Sequence, residues 1–377
     1  MKYMGSKRSM LLNGLGELLC DQIPKHARVV DLFCGAASVS WFAATQSDRP
    51  VFSVDLQRYA TVLAEAVVGR TRPINPSHIE RVWIDYSRAI LHSNPLWKDA
   101  QRIDSEVNSI PLWVRRARRF SLEANAGGLV LPLYGGYYFS PTQALAFDAM
   151  LQTLPRTKQT NAVCLAAIII SASQCAAAPG HTAQPFQPTQ SSAPHLFESW
   201  RKDPFHYARA AVQSIAPMFA RARGSARTGD ALKVAETLRS DDLVFVDPPY
   251  SAMQYSRFYH VLETISRGVP VEVTGSGRSP PLNLRPSSKF SLKTQSRIAF
   301  VGLFEALATT GCTTAVTFPA DICSNGVSGA DVLDIAKEWF MVSHQHVSSR
   351  FSTLGGKKGN RGARHPTREL ILLLRPR

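Results

Sequence analysis

Residues 243–250 read Leu-Val-Phe-Val-Asp-Pro-Pro-Tyr. A run of strand-forming residues closes on a carboxylate, two prolines and an aromatic ring. The prolines fix the backbone and remove two N–H donors. The Asp247 carboxylate and the Pro248 carbonyl therefore face the space beyond the strand as acceptors with no donor beside them. Such a pair suits an exocyclic amino group, which offers two N–H donors, and Tyr250 offers a ring to stack on a base. The plainer reading, a Pro-Pro turn after a strand, does not account for the acid and the aromatic together with Pro249.

A second constellation lies near the N-terminus. Residues 28–33 (Arg-Val-Val-Asp-Leu-Phe) are followed by Cys34, Gly35, Ala36 and Ala37. A small-residue turn at the carboxyl end of a strand lets a ligand approach backbone N–H groups. Asp55 follows a second strand-like run, twenty positions after Gly35. In α/β nucleoside sites an acid at that place accepts ribose hydroxyls. A third group, Lys2-Tyr3-Met4-Gly5-Ser6-Lys7, offers a ring and an ammonium before a helix-like segment.

Positioning these groups requires particular elements. Leucines at 11, 12, 15, 18 and 19 predict a helix over 10–20, stopped by Pro24. Strands are expected at 28–33 and 51–54, with helices at 38–45 and 59–68. This βαβ alternation predicts a parallel sheet covered by helices. The rhythm then dissolves from 71 to 160. Residues 162–173 form an apolar run, 178–194 are rich in Pro, Gln, Ser and Thr, and 204–217 read as a helix. Strand patterning returns at 242–246. After a polar Pro/Gly/Ser stretch (270–288), a helix is expected at 295–309, a strand at 313–318, a helix at 331–340 and a last strand at 369–374. The simplest architecture is one α/β domain built from both ends, 1–70 and 226–377, interrupted by an insertion over 71–225.

Composition agrees. The chain has 377 residues, 45% hydrophobic and 19% charged, which excludes a disordered tail. No apolar run reaches the roughly 20 residues of a membrane span, and no signal cleavage site follows the N-terminal leucines, so a cytoplasmic protein is expected. The six cysteines lack paired metal-ligand spacing, and His344 and His346 alone make no zinc set, so no metal is expected. The net charge is +15, which points to a polyanionic partner. By blocks it is +2 over 1–70, +7 over 71–225, −2 over 226–250 and +8 over 251–377. Two dense clusters, Arg115, Arg116, Arg118 and Arg119, and then Lys357, Lys358, Arg361 and Arg364, suit phosphate contacts. Residues 134–139, with Tyr138 among four aromatics, read either as a hairpin reaching the polyanionic partner or as core of the insertion.

Taken in order, these motifs resemble the D12-class (Dam-like) DNA adenine-N6 methyltransferases. Tyr3 and Lys7 are similar to that family's N-terminal aromatic and lysine, Asp31, Phe33 and Gly35 to its cofactor loop, Asp55 to its ribose-binding acid, and Asp247–Tyr250 to its catalytic tetrapeptide. Residues 134–144, 179–185, 255–263 and 352–364 also resemble segments of a subgroup. The resemblance implies a Rossmann-like, S-adenosylmethionine-dependent core with an inserted, mainly helical target-recognition domain. It implies an adenine flipped from duplex DNA as substrate, and a cognate restriction endonuclease or defence-system proteins as partners. Asp230 would border the cofactor's adenine, or else cap a helix. One departure is Ala37, where the family usually has a second glycine. The rival readings are an RNA adenine-N6 methyltransferase and a non-catalytic DNA-binding protein on the same scaffold. Cytosine-N4 methylation fits less well, because that class usually carries Ser for the acid and Trp for Tyr250.

Overall fold

The computed structural model describes residues 7–107, 109–124, 127–352 and 364–377. These residues form two compact units. One comprises residues 7–72, 218–255 and 286–377, and the other residues 73–217 and 256–285, in each case the described residues.

The first unit is built on a seven-stranded sheet of order β3-β2-β1-β4-β5-β7-β6. Its strands are β1 (Arg28–Asp31), β2 (Val51–Asp55), β3 (Ser225–Thr228), β4 (Asp242–Val246), β5 (Thr313–Pro319), β6 (Phe340–Ser352) and β7 (Arg364–Pro376). The first five pair in parallel, and β7 runs antiparallel to both β5 and β6. Central parallel strands are buried on both faces, which is why they read as continuous apolar runs. Side chains alternate between two cores. Val30, Val244, Val246 and Val316 face one, with Phe300, Leu303 and Phe304 of the helix Ser296–Thr309. Val29, Leu243, Phe245 and Ala315 face the other, with Leu15, Leu19 and Val39.

Several expected elements differ in detail. The stripe at 10–20 is two helices, Arg8–Leu11 and Leu15–Gln22, because Gly14 adopts φ +89° between them. β3 was not expected, since Ser-Ala-Arg-Thr on a sheet edge has neither an apolar run nor alternation. The last strand is longer than 369–374, because pairing with β6 extends it.

The second unit is helical. Its longest helix, Lys158–Cys175, accounts for the apolar run at 162–173 and is buried among other helices. No helix among the described residues is long and apolar enough to cross a membrane. Residues 256–285, which the sequence pattern leaves with the sheet-forming part, pack in this helical unit. The Tyr134 hydroxyl lies 2.8 Å from Thr264 Oγ1, and Arg278 donates to the carbonyls of Leu133 and Pro132 at 2.8 and 3.0 Å. The motifs at 134–144, 179–185 and 255–263 meet here. Tyr134, Tyr138 and His260 form a ring cluster, and His181 stacks on Phe258 at 4.5 Å. Burial pushes the His260 imidazole down to about 3, so it is neutral at pH 7.

Candidate active site

The sheet places an acid at or just beyond the carboxyl end of three neighbouring parallel strands: Asp55 on β2, Asp31 on β1 and Asp247 after β4. Strand order reverses between β1 and β4, and ligands of open α/β sheets bind outside the carboxyl ends at such a switch point.

Asp247 is held by one oxygen. Its Oδ1 accepts from Thr317 Oγ1 at 2.9 Å and lies 3.1 Å from Lys7 Nζ. Its Oδ2 makes no hydrogen bond among the described residues, and neither does the Pro248 carbonyl. The Pro249 carbonyl is engaged by Asn325 Nδ2 at 3.4 Å. Among the described residues both acceptors expected from the tetrapeptide are therefore open. Tyr250 is buried, with its ring against the edge of Phe318 and the Lys7 ammonium 6.0 Å from its centroid.

Lys7 is only 5% exposed and bridges two carboxylates, with Nζ also 3.2 Å from Glu369 Oε2. Burial pulls its pKa down, but Asp247 and Glu369 together more than offset this and leave it above the ordinary lysine value. Burial raises the Asp247 pKa against the pull of Lys7, and Glu369 adds to the rise. Glu369 and Thr317 carried no signal in the sequence. A carboxylate in a final strand and a threonine in an apolar one are each ordinary alone.

The turn after β1 is tightly organised. Asp55 accepts the Gly35 N–H on Oδ2 and the Gln57 N–H on Oδ1, both at 2.9 Å. It thus braces the loop expected to cradle the cofactor. Ala37 sits at φ +59°, a left-handed conformation that ordinarily favours glycine, where the family usually has one. Asp31 is buried. Its Oδ2 accepts from Ser40 Oγ at 2.6 Å, and its Oδ1 has no partner among the described residues.

Beside this turn lies a slot lined by Leu32, Phe33, Leu56, Asp230, Ser288 and Phe290, among others. Phe33 and Phe290 meet edge to face at 5.2 Å. Asp230 is a helix cap, one of the two roles expected of it. Its Oδ1 caps the helix Ala231–Ala235 through the Leu232 N–H at 2.9 Å, and it lines the slot. The 288–290 wall was not foreseen, because it comes from a polar stretch with no motif. An apolar slot flanked by carboxylates, with an orphaned buried oxygen nearby, fits a nucleoside-bearing cationic cofactor.

The residues expected to contact DNA lie in different settings. Tyr138 is fully buried, and its hydroxyl lies 2.6 Å from the Thr182 carbonyl and 2.8 Å from that of Gly277. It is therefore core of the helical unit, and its expectation as a DNA contact is corrected. In the helix Ile110–Glu123, Arg116 pairs with Glu106 and Arg119 with Glu123, both at 3.0 Å. Arg118 donates to the Gly136 carbonyl at 3.0 Å and lies 4.3 Å from the Tyr137 ring centroid. Arg115 is exposed and makes no ion pair among the described residues. Tyr3, Lys357, Lys358 and Arg361 lie outside the described residues, and Arg364 is placed only as the first backbone position of β7.

A doubly wound sheet with acids around its switch point, and an acid followed by two prolines at the end of β4, are features of a nucleotide-type cofactor enzyme. The chain matches the model of the D12 class N6 adenine-specific DNA methyltransferases over residues 3–94 and 199–303, and it belongs to that family of S-adenosylmethionine-dependent enzymes. The matched segments contain Lys7, Asp31, Asp55, Asp230 and Asp247–Tyr250, whereas Glu369 lies outside them. No curated protein matches the chain.

Proposed function

We propose that this chain methylates N6 of an adenine flipped out of duplex DNA, with Asp247 and the Pro248 carbonyl as the acceptors of the two amino hydrogens. The observation that carries this reading is the asymmetry of Asp247: Oδ1 is bound by Lys7 and Thr317, while Oδ2 has no partner among the described residues. The N6 lone pair is delocalised into the purine ring. Two acceptors oriented on its hydrogens draw the nitrogen towards tetrahedral geometry and free that pair for attack. As the new N–C bond forms and the donor's methyl–sulfur bond breaks, that bond's electron pair stays on sulfur as a neutral thioether, and Asp247 Oδ2 would take one of the amino protons. Its raised pKa suits it to hold that proton. S-adenosylmethionine supplies an already activated methyl group when bound. Phe33, Phe290 and Asp230 would hold its nucleoside end, and Asp55 would position the turn that faces it.

Flipping costs a few kcal/mol, which phosphate contacts from the basic segments help to offset. The helical unit would carry target recognition. Protection of sites from a cognate endonuclease, or phage defence, is the setting we assign.

The test is to incubate the protein with labelled donor and duplex DNA, single-stranded DNA or RNA, and to identify the modified nucleoside. N6-methyladenine in duplex DNA is expected. Asp247→Ala should lose transfer and keep DNA binding. Substantial turnover by that variant, or product in RNA alone, would overturn the assignment.

A further inference from the structure

Glu369 belongs to the charge cluster of the site yet has no part in the chemistry just described. It lies on β7, opposite Pro319 of β5. Because β7 is antiparallel, its early residues lie beside the carboxyl ends of the parallel strands, where Asp247 and Thr317 also sit. Its carboxylate meets Lys7 Nζ at 3.2 Å, on an ammonium that is 3.1 Å from Asp247 Oδ1. The charged groups facing Asp247 are thus Lys7 from the N-terminal segment, Glu369 from β7 and, further off, Asp31 from β1.

This arrangement has an electrostatic consequence. Lys7 and Asp247 alone would form a neutral pair, at the place where the reaction builds positive charge on the attacked amine. Glu369 returns the cluster to a net charge of about −1 when all three groups are ionised. It also gives the ammonium a second anchor, away from Asp247 Oδ2. A preorganised negative charge beside the amine stabilises positive charge as it moves from the donor sulfur to the nitrogen, and so lowers the barrier.

We propose that Glu369 is a positioning residue for methyl transfer: it holds the Lys7 ammonium on Asp247 Oδ1, leaving Oδ2 open, and it keeps the site net negative beside the amine. This rests on the adenine-N6 reading above. Glu369→Gln is a mild probe, because it leaves a neutral ion pair rather than an orphaned buried charge.

The experiment is single-turnover methylation of duplex DNA by the full chain as wild type, Glu369→Gln, Lys7→Met and the double variant. Donor and DNA dissociation constants are measured alongside. Glu369→Gln should slow the saturated rate by about tenfold or more, with both dissociation constants within about twofold of wild type. In the Lys7→Met background the same change should cost clearly less than in wild type, because the part of the effect that passes through Lys7 is already lost. Glu369→Asp, which keeps the charge on a shorter arm, should recover part of the rate. The acid limb of the rate profile should move to lower pH in Glu369→Gln, since the Glu369 charge raises the pKa of Asp247. A readout independent of turnover is the Lys7 ammonium NMR signal, assigned by its absence in Lys7→Met. It should be protected from exchange in wild type and lose that protection in Glu369→Gln.

An unchanged rate in Glu369→Gln, a loss confined to binding, or a full loss that persists without Lys7 would each overturn the positioning role. If the wild type methylates no adenine, the underlying reading falls and this inference with it. If the wild type is active and Glu369→Gln equals it, only the positioning role falls.

Discussion

Asp31 shows what the site costs at the level of a single residue. Burial pushes its carboxyl up to about 7, against the Ser40 hydrogen bond, and one of its oxygens is left unpaired. A folded-state pKa above the unfolded value means that the native state binds the extra proton between about pH 4 and pH 7. Stability contributed by that proton is present below this window and is lost as pH rises through about 7. Asp31→Asn should therefore gain about 2 kcal/mol relative to wild type between pH 5 and pH 8, read from urea unfolding at the two values. An equal difference at both would show that Asp31 stays ionised in the fold. Asp31 and Asp247 were legible in the sequence because each lies beside a small-residue or proline-fixed turn at a strand end, and Asp55 because it closes the next strand-like run twenty positions after Gly35. Glu369 was not legible, since its neighbours along the chain say nothing of Lys7, 362 positions away.

Elements were legible to the degree that burial shaped them. β1, β2, β4 and β5 lie inside the sheet, and their β-branched runs mark them. β3 and β6 lie at its edges, and their polar residues do not. Short elements also depend on distant side chains. The helix Val130–Tyr134 is five residues long and begins at three N–H groups that all end on Asp148, from Leu129 and Val130 at 2.7 Å and Leu131 at 3.0 Å. Helix starts need such acceptors. Asp148→Ala leaves all three donors unsatisfied and should cost about 2 kcal/mol of stability. Asp148→Asn, which keeps one acceptor, should cost less. Identical unfolding of both variants and wild type would show that solvent can replace the carboxylate.

For the whole molecule, the net charge of +15 shares out differently once the units are known. Residues 73–217 with 256–285 carry +6, and the rest of the chain carries +9. The excess is spread over both units, as it is over the insertion and the C-terminal block of the sequence. Within the Arg cluster the structure separates an exposed side chain, Arg115, from one tied into the fold, Arg118. Arg115→Ala should leave stability unchanged and reduce the slope of log K against log salt for DNA binding by about 1. Arg118→Ala should lower the thermal midpoint, because it removes the tie to Gly136 and the contact with Tyr137. The reverse pattern in the two variants would move the phosphate contact to Arg118.

By itself the sequence determined the chemistry available and much of the local frame: an Asp-Pro-Pro-Tyr end without backbone N–H donors at its prolines, a small-residue turn followed by an acid, and a βα alternation. Those properties depend on residues within a few positions of one another. Only the tertiary structure decided which groups meet. It joined Lys7 and Glu369 from the two ends of the chain at Asp247, buried Tyr138, and drew 256–285 into the helical unit. Such meetings follow from strand order and packing, above all from an antiparallel β7 whose early residues reach the carboxyl edge of a parallel sheet. No periodicity along the chain encodes them.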